Sequence, residues 1–324
     1  MSAWHSLVLG RVKGCEFDDA VFTNLTEDHL DFHKTMENYA KAKAMLFEMV
    51  SSENQHKTGK SAWINIDDPY AHTMIEAVNT EVCPLHTYGM NDSSAELYAY
   101  DSKFTGKSSR FKVRYHENDY EVETRLAGRF NIYNTLGAIG AALNEGISMD
   151  DAIEAVKDFQ SVPGRFELID EGQSFAVVVD YAHTPDGLEK ILGTAREITE
   201  GKIIAVFGCG GDRDRMKRPI MGSIAAEHAD ISIVTSDNPR TEDPEKIIED
   251  VVVGVEKVKK NKPDLYYEVI ADRRQAIKRA VSLAKDDDIV IIAGKGHEDY
   301  QILKDRTIHF DDREEARNAL KEVK

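Results

Sequence analysis

Apolar residues in the second half of the chain come in short runs, at 175–180, 203–207, 231–235 and 289–293, with a more mixed strand pattern at 266–270. After each run lies a longer segment, at 185–198, 218–228, 244–258, 273–284 and 313–322, in which apolar positions recur with helical spacing. An unbroken run of Val, Ile and Ala fits a strand buried on both faces, and the longer period fits an amphipathic helix. Their alternation predicts a parallel sheet with helices on both sides, a doubly wound Rossmann-like α/β unit.

The first half is organised differently. Strands at 20–24 and 61–66 and helices at 36–50 and 69–78 again alternate. Residues 95–126 then switch to period two, as in Phe111, Val113 and Tyr115, and Tyr120 and Val122. Asn118-Asp119 between these segments predicts a hairpin turn, and so an antiparallel insertion in a mostly parallel sheet. Two helices follow at 131–144 and 148–159, the second with Ser148 as N-cap and Asp151 at the capping-box position. Ser161-Val162-Pro163-Gly164-Arg165 is small and turn-forming, and marks a boundary between domains 1–162 and 163–324.

Composition narrows the class. The chain has 324 residues, 41% hydrophobic and 31% charged, which suits a globular protein of about two domains. A net charge of −17 argues against nucleic acid or an anionic membrane as partner. No apolar run is long enough to span a bilayer, and the start lacks a basic-then-apolar signal layout. Cys15, Cys83 and Cys209 lack metal-ligand spacing, so the expectation is a reduced, cytoplasmic, monomeric protein without membrane insertion.

Candidate chemistry gathers at the ends of the predicted strands. Gly211-Asp212-Arg213-Asp214, Asp237-Asn238-Pro239-Arg240 and Gly294-Lys295-Gly296-His297-Glu298 each follow an apolar run. Ligands of open parallel sheets bind beyond the carboxyl ends of the strands. Arg213 and Arg240 beside Asp237 and Glu298 would make a pocket for something zwitterionic. The bland alternative is a type I turn with Arg240 merely exposed. Asp28-His29-Leu30-Asp31-Phe32-His33 offers metal or phosphate-handling groups, or simply a solvated loop. Lys41 and Lys43 sit on an apolar helical face, where lysine ordinarily snorkels to solvent. Gly208-Cys209-Gly210-Gly211 lacks the dinucleotide fingerprint, and Cys209 reads better as a small packed residue than as a nucleophile.

Several segments together resemble the Mur ligases. They are Phe22 to His33, Tyr39 to Phe47, Gly128-Arg129-Phe130-Asn131-Ile132-Tyr133-Asn134, Pro163-Gly164-Arg165-Phe166-Glu167 and Val179-Asp180-Tyr181-Ala182-His183-Thr184-Pro185. The glycine-rich 208–219 loop, Asp-Asn-Pro-Arg and Gly-Lys-Gly-His-Glu complete the series. The likeness covers essentially the whole chain, with the motifs in the family's order. It implies a central ATP-binding domain, here incomplete, followed by a C-terminal amino-acid-binding domain.

The resemblance implies an ATP-dependent amide ligase of peptidoglycan synthesis that adds meso-diaminopimelate to UDP-N-acetylmuramoyl-L-alanyl-D-glutamate through an acyl phosphate. Lys43 matches the family's carbamylated lysine and His29 a ligand of the second Mg2+, a pairing that suits a hard cation because carbamylation creates an oxygen ligand. Asn134 matches the residue that reads adenine. Arg165, Asp180 and His183 match the groups by which the second domain closes over ATP. Arg11 matches a contact to the UDP-sugar dipeptide. Asp237, Asn238 and Arg240 form the motif that separates diaminopimelate-adding from lysine-adding members. Arg240 would clamp the far carboxylate, Glu298 and Gly294 would meet the far amino-acid end, and Arg213 a carboxylate.

One element of the pattern is missing. No Gly-x-x-x-x-Gly-Lys-[Ser/Thr] occurs in these residues, and Met1-Ser2-Ala3-Trp4 stands where the family has Glu-Val-Ser-Ser. The expectation is therefore an N-terminally truncated chain without ligase turnover of its own. Alternatives are a non-catalytic amino-acid-binding fragment, a lysine-adding member, or a sister ligase such as folylpolyglutamate or cyanophycin synthetase.

Overall fold

The computed structural model describes residues 7–25, 35–53 and 56–323. They fall into two compact units, one drawn from residues 1–103, 109–124 and 129–159, the other from 104–108, 125–128 and 160–324.

The first unit is built on β1 (Asp19–Phe22), α1 (Met36–Val50), β2 (Ser61–Asn65), α2 (Ala71–Glu76), β3 (Leu85–Gly89), β4 (Leu97–Thr105), β5 (Ser108–Tyr115), β6 (Asn118–Thr124), α3 (Arg129–Asn144) and α4 (Met149–Asp158). Its strands lie side by side in chain order, parallel from β1 to β4 and antiparallel between β5 and β6. Thr35 caps α1 and Ser148 caps α4, each accepting a backbone N–H three residues on.

Two expectations need correction here. The hairpin turn is His116-Glu117, not Asn118-Asp119, because Asn118 and Asp119 already pair with Tyr115 and Arg114. His116 takes the positive φ of 53°, and the Arg114–Asp119 ion pair at 3.0 Å holds the register one step earlier. Strand β3 has no counterpart in the apolar pattern, since Leu-His-Thr-Tyr-Gly neither alternates nor runs apolar.

The second unit contains β7 (Glu167–Leu168), β8 (Ala176–Asp180), α5 (Pro185–Ile198), β9 (Ile203–Phe207), α6 (Lys217–His228), β10 (Ile231–Val234), α7 (Pro244–Lys259), β11 (Tyr266–Val269), α8 (Arg273–Leu283), β12 (Ile289–Ala293), β13 (Tyr300–Ile302), β14 (Thr307–His309) and α9 (Asp312–Val323). The strand order is β11-β10-β9-β12-β8-β7, parallel except for the β7 edge. Strand residues alternate between two cores. Val178, Ala205, Phe207 and Ile291 pack with α5, α6 and α7. Val177, Val179, Ile204, Val206 and Ile292 pack with α8 and α9. This is the expected doubly wound unit; its predicted strands and helices start and stop within a residue or two of the expected bounds, while β7, β13 and β14 have no counterpart in the pattern.

Helix starts are fixed by chemistry at the strand ends. Thr184, Asp243 and Asp272 accept from Gly187, Glu245 and Gln275, and Pro185 and Pro244 occupy first helical turns. Among the described residues no helix is long and apolar enough to cross a membrane.

Candidate functional site

Strands β10, β9 and β12 are neighbours, so the polar segments after them meet beyond one edge of the sheet. They are hydrogen-bonded to one another. Gly211 N donates to Asn238 O at 2.9 Å, and Arg240 Nη1 donates to Gly211 O at 2.9 Å. Thr241 Oγ1 donates to Asp212 Oδ1 at 2.7 Å, and Asp212 N to Glu242 Oε1 at 2.6 Å. Glu242 is held below the usual carboxylate range, at about 2, chiefly by the Arg218 guanidinium and then by the Asp212 N–H. Arg218 is itself buried and bonds both Glu242 oxygens and Asp250. Arg213 rides on this pinned loop as an exposed side chain that, among the described residues, donates only to Asp212 O, at 3.1 Å.

Arg240 has φ of 53°, the left-handed region. Its N–H is taken by Ile302 O at 3.0 Å, while Nε and Nη2 make no hydrogen bond among the described residues. Those two atoms form the edge of the guanidinium fork that is left for a ligand, on a half-buried side chain.

Asn238 is 4% exposed and joins this turn to the segment after β12. Its Nδ2 donates to Glu298 Oε2 at 3.0 Å, and its Oδ1 accepts from Ile302 N at 2.9 Å and Lys295 Nζ at 3.2 Å. Glu298 Oε1 has no hydrogen-bond partner among the described residues. The structure therefore brings Arg240, Asn238 and Glu298 into one interlocked group, while Gly294, whose N–H donates to Asp180 O at 3.0 Å, lies against Asp237 and Arg273. Asp237 lies against Gly294 and Lys295 in the segment after β12. Its side chain is nearly buried, 3.7 Å from Lys295 Nζ.

Three residues of this group were not singled out as candidates from the sequence. Lys295 is completely buried. Arg273, also completely buried, holds Asp312 through two bonds of 2.7 Å and donates to Ala293 O at 3.0 Å. Tyr300 has its ring 5.6 Å from Lys295 Nζ, and its hydroxyl is pushed up, first by Glu298. A lone Lys or Arg in a polar segment reads as solvated, so only the lysine's place inside Gly-Lys-Gly-His-Glu could have pointed to it.

A second cluster lies at the ends of β8 and β12. Arg165 lies over the Tyr181 ring at 4.9 Å, with the His183 ring 4.6 Å and the His297 ring 5.2 Å from the same tyrosine. Arg165, His183 and His297 are exposed. Gly164 makes this possible. It has φ of +67°, and a Cβ there would stand 2.0 Å from His297 N. Asp180 holds the turn by accepting Phe166 N and Ala182 N, each at 2.7 Å, while burial pushes its carboxyl up.

The candidates of the first unit are placed separately. Lys43 lies on α1 with Nζ 5.2 Å from the Tyr39 ring centre. Asn134 is exposed on α3 and donates to Asn131 Oδ1 at 3.3 Å, and Arg11 is exposed in a turn. His29, with Asp28, Asp31 and His33, lies outside the described residues. The sequence reading also passed over Asp67, whose carboxylate receives Met90 N at 2.6 Å and Tyr133 Oη at 2.8 Å, with the Tyr133 hydroxyl pushed up to about 12. Among the described residues no group of three or more His, Cys, Asp or Glu could hold a metal ion. Cys209 is buried against Met221, and burial pushes its thiol up to about 12, which fits packing rather than nucleophilic work.

Comparison with known proteins gives these clusters a family context. Residues 2–142 match the Mur ligase middle domain, and residues 164–296 match the Mur ligase, glutamate ligase domain. The chain is 49% identical, over 98% of its length and 62% of the relative's, to the UDP-N-acetylmuramoyl-L-alanyl-D-glutamate--2,6-diaminopimelate ligase of Syntrophomonas wolfei subsp. wolfei. It is 48% identical, with the same shares covered, to the protein of that name from Clostridium botulinum. A solved structure of a ligase so named is 38% identical, with a TM-score of 0.71 over 99% of this chain and 63% of the other. The chain thus spans about 62% of the length of the curated relatives it matches.

Proposed function

The chain belongs to the Mur ligase family, and from that premise we propose that it carries the amino-acid-selecting part of an ATP-dependent ligase that adds meso-diaminopimelate to UDP-N-acetylmuramoyl-L-alanyl-D-glutamate. The observation that carries this reading is that the Nε–Nη2 edge of Arg240 and the Oε1 atom of Glu298, neither hydrogen-bonded among the described residues, are tied together through Asn238. Diaminopimelate is lysine with a second carboxylate beside its far ammonium. A planar guanidinium edge suits that carboxylate, and Glu298 Oε1 suits the ammonium. Lysine offers nothing to the fork, and a desolvated Arg240 without a partner costs roughly 1–3 kcal/mol. Arg213, exposed on its pinned loop, is the proposed contact for the near carboxylate.

The family implies ATP, and the exposed surface formed by Arg165, His183 and His297 around Tyr181 fits a polyanion. When bound, the nucleotide supplies the phosphoryl group that activates a carboxylate. Asp180 serves this surface by holding the turn that displays Arg165, and Asn134 is the proposed reader of adenine. Lys43 and His29 are proposed for Mg2+ on family grounds; Lys43 lies 5.2 Å from the Tyr39 ring, and no step here rests on the ion. Arg11 is the proposed contact to the UDP-sugar dipeptide.

Calorimetric titration of the chain with meso-diaminopimelate and with L-lysine tests the reading. The expected result is diaminopimelate binding at least about tenfold tighter than lysine. Equal affinities, or binding of neither, would overturn it.

A further inference from the structure

Lys295 presents a problem that the proposed pocket does not explain. It is completely buried, yet none of its contacts is a close ion pair. Asp237 Oδ1 stands 3.7 Å away and Glu298 Oε2 3.5 Å, and its shortest polar contact, 3.2 Å, is to the neutral Asn238 Oδ1. Burying an ammonium is costly, and a cation placed so does not earn its keep through one strong pair.

Its geometry suggests another use. A side-chain amide can face its surroundings in either of two orientations, differing in which end donates. Around Asn238 the choice is set by two donors on one side, Lys295 Nζ and Ile302 N, both aimed at Oδ1. Neither donor can face an NH2 group. Nδ2 must therefore point the other way, where it donates to Glu298 Oε2. The same ammonium lies 3.5 Å from that oxygen, so Oε2 is held by two donors and Oε1 is left without one among the described residues.

We propose that Lys295 is a positioning residue that fixes the orientation of the Asn238 amide and, through it, aims Glu298 Oε1 at the far ammonium of the amino acid. Asp237, Arg273 and Asp312 form the charged floor beneath it. Arg273 binds Asp312 bidentately, while Arg273 Nη1 and Asp237 Oδ1 are buried without a hydrogen-bond partner among the described residues. Asp237 thus offsets Lys295 by charge at 3.7 Å rather than by capturing it in a hydrogen bond. That leaves the ammonium's directed bond for Asn238. The assignment of Glu298 as ammonium acceptor rests on the proposed function; the control of Asn238 by Lys295 does not.

The test uses the full chain with Lys295→Met, which keeps the stem and removes the donors, Glu298→Gln, and the double variant. Two readouts are taken, diaminopimelate affinity by calorimetry and amide hydrogen exchange at Ile302. Lys295→Met is expected to weaken binding about tenfold in the wild-type background and less than about twofold in the Glu298→Gln background, because it acts through Glu298. Exchange at Ile302 should quicken about tenfold, with amides of β8 and β9 unchanged. Equal losses in both backgrounds, or unchanged exchange at Ile302, would overturn the proposal. If the wild type binds no diaminopimelate, the pocket reading fails, while exchange at Ile302 still decides whether Lys295 orders Asn238. Should Lys295→Met not fold, Lys295→Gln, which keeps an uncharged donor group on a shorter stem, enters the same cycle, with partial loss of Ile302 protection expected and full retention overturning the proposal.

Discussion

Asn238 Nδ2 donates to Glu298 Oε2 at 3.0 Å across 60 positions of sequence. One short side chain thereby joins the turn after β10 to the turn after β12. Asn238→Ala removes that donor and also strands Ile302 N and Lys295 Nζ, which both donate to Oδ1. Each buried group left unpaired costs roughly 1–3 kcal/mol. The variant is expected to lose both stability and amino-acid binding, read by urea unfolding and calorimetry. A variant with unchanged affinity would remove Asn238 from the pocket.

Arg240 holds the turn as well as leaving one guanidinium edge for a ligand, so its replacement must separate two effects. Its Nη1 donates to Gly211 O at 2.9 Å and its backbone has φ of 53°. Arg240→Lys keeps a cation and loses the planar fork. Affinity for meso-diaminopimelate is expected to fall about tenfold or more, with lysine affinity changed far less. Calorimetry with both amino acids gives the comparison, and equal losses would show that residue 240 does not discriminate.

The Arg273–Asp312 pair is fully buried on both sides. Asp312→Asn leaves the guanidinium without its counter-charge and is expected to cost roughly 3–5 kcal/mol. Combining Arg273→Met with Asp312→Leu removes both charges and should cost less than the single change. Urea midpoints of the second unit's transition decide it; a double variant worse than the single would contradict this account.

Glu242 makes part of the stability pH-dependent. Its carboxyl is lowered to about 2 in the folded protein, against an ordinary 4.5. A depressed carboxylate contributes stability that is fully present above its unfolded value and lost as pH falls through the folded one. The wild type should therefore weaken from about pH 4.5 down towards pH 2, and Glu242→Gln should be weaker at pH 7 but flatter over that window. Unfolding midpoints at pH 7, 4 and 3 measure it. Parallel curves would show that Glu242 does not carry the effect.

Gly164→Ala should be severe, because the new methyl meets backbone at 2.0 Å in a turn of φ +67°. Overpacking and backbone strain together are expected to cost roughly 1–3 kcal/mol or more and to displace Arg165 from Tyr181. Gly193→Ala is the control. It lies in α5 with nothing within 4 Å of its Cβ, and should be neutral or stabilising by up to about 1 kcal/mol. Thermal unfolding of the two variants checks the contrast.

The doubly wound unit was legible because strands such as Ile203–Phe207 and Ile289–Ala293 are buried on both faces and leave an unbroken apolar signature. The convergence of the turns at 211, 238 and 298 followed from the same rule, since polar residues just past such strands must lie at one edge. Strand β3 left no signature because its first three residues are only half-buried. The hairpin of β13 and β14, three residues a strand, is too short for periodicity to register. Lys295, Arg273 and Asp312 were illegible for a different reason. Their burial depends on partners 39 and 57 positions away, and a charged residue carries no local sign that it will be desolvated.

The small β13–β14 hairpin is bonded to the turn after β10 at three points: Arg240 N to Ile302 O, Ile302 N to Asn238 Oδ1, and Gln301 Nε2 to Asp237 O. For retuning the proposed amine pocket, residue 240 alone is therefore a poor unit of exchange. The transplantable piece is 237–240 together with 300–302, moved as a single cassette.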